Sequence, residues 1–101
     1  MRLIVSMLLL SLLAMPAFSD DGMTVKQSKY SVKETVDRLV VALKERGIAP
    51  AARVDHAAGA KSAGMELPPT ELLLFGNPKL GTPMIAANRK IGIDLPMRVL
   101  V

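Results

Sequence analysis

From Ser31 onward the apolar positions fall at helical spacing. Val32, Val36, Leu39, Val40 and Leu43 form one stripe, and Lys33, Glu34, Asp37, Arg38, Lys44 and Glu45 lie largely off it. Ser31-Val32-Lys33-Glu34 has the form of a capping box: the Ser31 hydroxyl can accept from the Glu34 amide while the Glu34 carboxylate reaches back. Glu34 and Arg38 stand one turn apart in the favourable order. Lys44 and Arg46 place cations in the last turn, where the helix dipole favours them. Gly47 can take the left-handed position that closes a helix. The pattern predicts a helix over Val32–Arg46, with Leu39 facing the rest of the core.

The period then changes. Glu71 to Phe75 (ELLLF) is a continuous apolar run between turn residues, which predicts a strand that is central or buried on both faces. Its Leu73 is expected to meet Leu39. Ile48 to Val54 predicts a second strand, and Pro50, lacking an amide, favours an edge position. Met97 to Val101 predicts another, with Met97, Val99 and Val101 on one side and Arg98 and Leu100 on the other. Thr24 to Lys29 has strand character centred on Val25.

Asp55 can cap a short helix over His56–Ala63, ended by Gly64. That stretch is nearly all Ala, Gly and Ser and has little surface to bury. Pro68-Pro69 marks a connection. Asn77 and Pro78 suit the cap and first position of a further helix running to about Asn88. Gly81 and Pro83 equally suit a later start capped by Thr82, and both readings stand. Ile91–Pro96 is a connector. The order β-α-β-α-β-α-β predicts an α+β domain: a small antiparallel or mixed sheet with the main amphipathic helix packed on one face.

The amino terminus follows a different logic. Arg2 precedes a run from Leu3 to Ala14 that is apolar apart from Ser6 and Ser11, Pro16 breaks it, and Ala17-Phe18-Ser19 offers small residues to a signal peptidase. Residues 1–19 are expected to be a signal peptide, cleaved before Asp20, with an uncleaved anchor as the alternative. The run is shorter than the roughly 20 apolar residues a spanning helix needs. The expected location is periplasmic or secreted, with no stable membrane insertion after cleavage. Residues 20–30 would then form the mature amino-terminal segment and first strand, and residues 31–101 the domain. Cleavage lowers the net charge from +4 to +3. A domain this small buries a modest share of its surface, which favours a homodimer.

Composition narrows the chemistry. With Cys 0, Trp 0 and His 1, disulfide scaffolds, zinc fingers and thiol nucleophiles are excluded. Aromatic residues make up 3% of the chain, too few for stacking platforms, and with export this argues against a nucleic-acid partner. The small basic clusters, Lys26-Lys29-Lys33 and Arg89-Lys90, read as solvated faces. His56 is the candidate general base, with Asp55 and Glu66 nearby in sequence but no nucleophile at a recognised spacing. Ser62 lacks the nucleophile-elbow pattern. A single His without Cys leaves zinc short of ligands, so neither a metal nor a cofactor is expected. Met23, Met65, Met84 and Met97 with His56 could bind copper, but their scatter fits gap-filling in a core. Gly76, Asn77 and Lys79 are candidate ligand-binding residues, because a helix amino terminus can hold an anion or an anionic small molecule. Their spacing is not that of a P-loop.

The stretch from Ser31 to Val101 resembles the family known as domain of unknown function 302. The resemblance rests on Ser31-Val32-Lys33-Glu34-Thr35-Val36 with Leu39 and Gly47, on Val54-Asp55-His56-Ala57 with Ala63-Gly64-Met65, and most specifically on Leu74-Phe75-Gly76-Asn77-Pro78-Lys79 and Asp94-Leu95-Pro96-Met97-Arg98-Val99. It implies a small α+β domain, often exported in bacteria and tending to dimerise. It implies no reaction, so no catalytic residue carries over. His56 and the Gly76-Asn77-Pro78 turn match family motif positions. Members usually continue beyond the last strand, so the domain is expected to be incomplete at its carboxy end or completed by a partner. The expected function is that of an exported ligand-binding or interaction module, with a small hydrolase or isomerase based on His56 as the alternative.

Overall fold

A computed structural model of the chain describes residues 22–101. The expected leader and its cleavage point lie outside the described residues. Helix α1 spans Val32–Glu45. The Ser31 hydroxyl accepts from the Glu34 amide at 3.1 Å, as the capping pattern requires. The reciprocal half of the box is not made: the Glu34 carboxylate turns to Arg38 (3.1 Å), whose guanidinium also sits over the Tyr30 ring. At the other end the Ile48 amide donates to Leu43 and the Gly47 amide to Lys44, with Gly47 at φ +75°. This is a Schellman closure, and it turns the chain sharply into the sheet.

The sheet has three antiparallel strands in the order β1 (Pro50–Asp55), β2 (Glu71–Phe75), β3 (Met97–Leu100). ELLLF is therefore central, and Pro50 begins an edge strand, as expected. Ile48 and Ala49 are consumed by the turn from α1. Between β1 and β2 runs α2 (His56–Ser62), whose cap is Asp55: its carboxylate accepts from the Ala58 amide at 2.9 Å. Gly64, at φ +76°, closes it. After β2 comes α3 (Pro78–Ala87), then a 3-10 turn over Arg89–Ile93 that overlaps the start of the expected connector, then β3. Of the two possible starts for α3, the chain takes the earlier, with Asn77 as cap and Pro83 inside the helix.

The expected first strand does not form. Residues 23–28 carry no regular structure, and Val25 is 87% exposed. With Val25 as the one apolar residue among the six of Thr24–Lys29, the expected strand has too little to bury against a sheet edge. Among the described residues the order is α-β-α-β-α-β, with an additional 3-10 turn before the last strand.

The fold class holds: α1 lies across one face of the sheet. Period-two alternation assigns Arg53, Leu73 and Val99 to that face in one cross-strand row, with Asp55, Glu71 and Val101 beside it. Leu73 is fully buried there, as expected. Its fully buried counterpart on α1 is Val36, whereas Leu39 is only half-buried. The opposite face presents Ala52, Val54, Leu72, Leu74, Arg98 and Leu100. Leu72 and Leu74 are half-buried, Val54 is 39% exposed and Leu100 63%.

Candidate functional site

An open cleft of about 1000 Å³ lies on the α1 side of the sheet. Its walls come from the first turn of α1, the end of β1, α2, the loop from Gly64 to Thr70 and the start of β2. Glu71 and Arg53 form its charged floor. Both project from the helix-facing side: Glu71 stands two residues from inward-facing Leu73 along β2, and Arg53 is paired directly with Leu73 across the strands. Glu71 is 7% exposed, and a carboxylate that deep requires a partner. Arg53 supplies it as a two-pronged clamp, Nε to Oε1 at 2.7 Å and Nη2 to Oε2 at 3.3 Å. The third prong, Nη1, donates to Asp37 on α1 at 2.6 Å, and Lys33 reaches the other Asp37 oxygen at 2.9 Å.

The network runs helix to strand to strand and pins α1 to the sheet at one end. Hydrogen bonds from Arg53, and next from Lys33, hold the Asp37 carboxyl below its ordinary range. Glu71 first and Asp37 second push the Arg53 guanidinium above its already high value. Arg53 therefore stays a cation throughout, and acts as a fixed positive group rather than an acid or base.

The residues singled out from sequence lie elsewhere. His56 opens α2 with its amide bonded to the Thr70 carbonyl, but its imidazole is exposed, makes no hydrogen bond or ion pair among the described residues and does not line the cleft. Asp55 is occupied as a helix cap, so it does not orient the imidazole. The Ser62 hydroxyl donates back to the Ala58 carbonyl. At the Gly76-Asn77-Pro78 turn the first-turn amides are all engaged: Lys79 with the Asn77 side chain, Leu80 and Gly81 with the Asn77 carbonyl, while Pro78 has none. Gly76 lies beside Pro96, which a Cβ at this position would meet at 3.4 Å, an ordinary van der Waals contact. Among the described residues no group of three or more His, Cys, Asp or Glu side chains is placed to hold a metal ion.

Sequence reasoning missed Asp37, Arg53 and Glu71. A signal was present. Glu71 and Arg53 are charges inside strands whose neighbours at period two are inward-facing, and an inward charge in a strand needs a partner of opposite sign.

The fold and cleft define a class: a small three-stranded α+β module with one amphipathic helix packed across its sheet. Within that class the chain belongs to the family described as domain of unknown function DUF302, which matches residues 23–101. It is similar to a solved structure, an uncharacterised conserved DUF302 protein from Bacillus stearothermophilus, with a TM-score of 0.64 and 23% identity over 71% of this chain and 57% of that one. At that identity the likeness speaks for the fold. Higher identity comes with proteins of Brucella. The chain is 48% identical over 86 residues to fluoride-specific ion channel FluC 1 of Brucella suis, covering 85% of this chain and 34% of that protein. Fluoride-specific ion channel FluC 1 of Brucella abortus and FluC 2 of Brucella melitensis match at the same identity, with 32% of each covered. The chain thus spans about a third of the length of these curated relatives.

Proposed function

We propose that the chain is an exported interaction module that works as a homodimer, burying the outer face of its sheet against a second copy. The observation that carries this reading is the apolar row Val54, Leu72 and Leu100, with Leu74 beside it, on the face opposite α1. The helices that pack on the sheet are α1 and α2, and the hydrophobic residues fully buried among those described are Val36 and Leu73. A core that small gains most from a second apolar layer. Two such faces are self-complementary, and sheets stack about 10 Å apart through interdigitated side chains of this kind. The open edge of β3 extends the same surface. The hydrolase or isomerase reading draws no support from the surroundings of His56.

Sedimentation across a range of protein concentrations tests the reading. The expected result is a dimer that Leu100→Lys converts to monomer, with a melting temperature that rises with concentration in the parent only. A parent chain that is monomeric at every concentration overturns it.

The Brucella relatives favour a second, compatible role: the module acts beside a fluoride channel. Its match takes in a third of proteins named as such channels. No described helix is long and apolar enough to cross a membrane, so the described part of the shared stretch supplies no helical span. Deleting the region in its host should lower fluoride tolerance and leave tolerance of chloride unchanged; unchanged fluoride tolerance would remove this role.

A further inference from the structure

We infer that the cleft on the α1 side binds a short apolar peptide through its free termini. This site is independent of the dimer face, because its floor residues Arg53 and Glu71 project from the opposite side of the sheet. Most of the charged groups in the cleft are already committed. Arg53 is held by Glu71 and Asp37, Lys33 by Asp37, and Asp55 caps α2. Among the described residues, two charged groups lining the cleft remain without an ion pair or hydrogen bond: the Lys61 ammonium, in the last turn of α2, and the Glu66 carboxylate, in the loop beyond. They line the same cleft yet are not paired with each other.

Between these two charges in the chain stands Met65, and Leu67 follows. Both are exposed, and both line the cleft with Pro69. The uncommitted surface is thus one cation, one anion and an apolar strip.

That combination selects a ligand class. A simple anion finds no net field, since Lys33, Arg53 and Lys61 are balanced by Asp55, Glu66 and Glu71. A purely apolar ligand would leave both charges unused. A zwitterion with an apolar body satisfies all three: its carboxylate to Lys61, its ammonium to Glu66, its side chains on Met65 and Leu67. The volume, about 1000 Å³, exceeds what a single amino acid fills and lies at the upper end of sites for drug-sized ligands. A peptide of a few residues fits both the size and the separated charges.

The test uses the full chain and the tripeptide Leu-Ala-Leu in three forms: free, amino-acetylated and carboxy-amidated. Binding is followed by amide chemical shifts. The expected result is saturable shifts at Lys61–Thr70 with the free peptide, and affinity about fivefold weaker for each blocked form, the scale of a solvent-exposed ion pair. Lys61→Met should erase the effect of amidation, and Glu66→Gln the effect of acetylation. Both side chains are exposed, so the variants keep the parent's melting behaviour. Equal affinity for all three forms, shifts confined to the outer sheet face, or no shifts at millimolar peptide would each overturn the assignment.

Discussion

Leu73 is where the packing argument is most exposed to test. It is fully buried at the centre of β2, between Arg53 and Val99 in the same row and under α1. Leu73→Ala removes three carbons, worth about 2.4 kcal/mol at roughly 0.8 kcal/mol each. The cavity left behind adds to that, because α1 is held at its neighbouring end by the Asp37–Arg53–Glu71 network and cannot settle freely into the space. The expected total is about 3–4 kcal/mol, within the range for buried Leu→Ala changes. A domain of this size has a total stability of roughly 4–12 kcal/mol, so the variant sits near the edge of folding. Leu73→Val supplies the graded step, at about 1 kcal/mol. Urea melts should show midpoints falling in the order parent, Leu73→Val, Leu73→Ala with slopes unchanged. Leu39→Ala, at a half-buried position, should cost less than Leu73→Ala. If Leu73→Ala costs under about 1 kcal/mol, a value typical of partly exposed sites, or no more than Leu39→Ala, the assignment of α1 to this face of the sheet is wrong.

Ser31→Ala should cost about 1 kcal/mol in the same melts, because it frees the Glu34 amide, while Glu34→Gln should cost little, since Glu34 makes no return bond to the cap. Gly47→Ala should cost about 1 kcal/mol through its left-handed backbone alone, since nothing lies within 4 Å of the added methyl. In acid, Asp37 has a folded-state value below its ordinary 3.8, so its contribution is present above that value and lost as pH falls through the lowered one; Asp37→Asn should flatten this limb of a stability–pH curve. Arg53 carries the opposite sign, being raised, and its contribution is lost only as pH rises beyond the already high ordinary range of a guanidinium, so neutral and mildly alkaline melts should coincide as far as this group is concerned.

The elements that sequence revealed well are those whose local signals agree. Ser31, the apolar stripe and Gly47 mark one helix independently, and α1 is found within a residue of its expected end. Glu71–Phe75 is bounded by Pro69-Thr70 and Gly76, and its limits match. The short α2 was legible from Asp55 and Gly64 although its body is nearly featureless. Thr24–Lys29 misled because β-propensity is a packing property, and Val25 has no surface to pack on. The cleft was not legible for a related reason. Arg53, Glu71 and Asp37 are 16 and 18 residues apart along the chain, and only the pairing of β1 with β2 under α1 brings them together. Local motifs drew attention instead to His56 and Asn77, which stand at the starts of α2 and α3 and outside the cleft.

The two faces of the sheet pose a question of their own. Strand register is fixed when one face is buried, because a one-residue slip exchanges the faces. Here α1 covers the face that holds Arg53, Asp55 and Glu71, and leaves outside the row of Val54, Leu72 and Leu100. Hydrophobicity alone would favour the reverse. The Asp37–Arg53–Glu71 network supplies the discrimination: in the slipped register Glu71 and Arg53 would face away from α1, and Asp37 would lose Arg53 and keep only Lys33. A protein that used its sheet in isolation would gain solubility from polar residues on the outer face at little cost in stability. The retained apolar row is therefore expected to be covered in the working state. Val54→Thr with Leu100→Thr separates the cases. At exposed positions in a monomer the pair should shift stability by less than about 0.5 kcal/mol per site. In a dimer sealed through this face the melts should become dependent on protein concentration in the parent, and the double variant should lose both the dependence and the added stability. Melts that are independent of concentration and unchanged by the pair would show that the outer face is solvent-exposed by design.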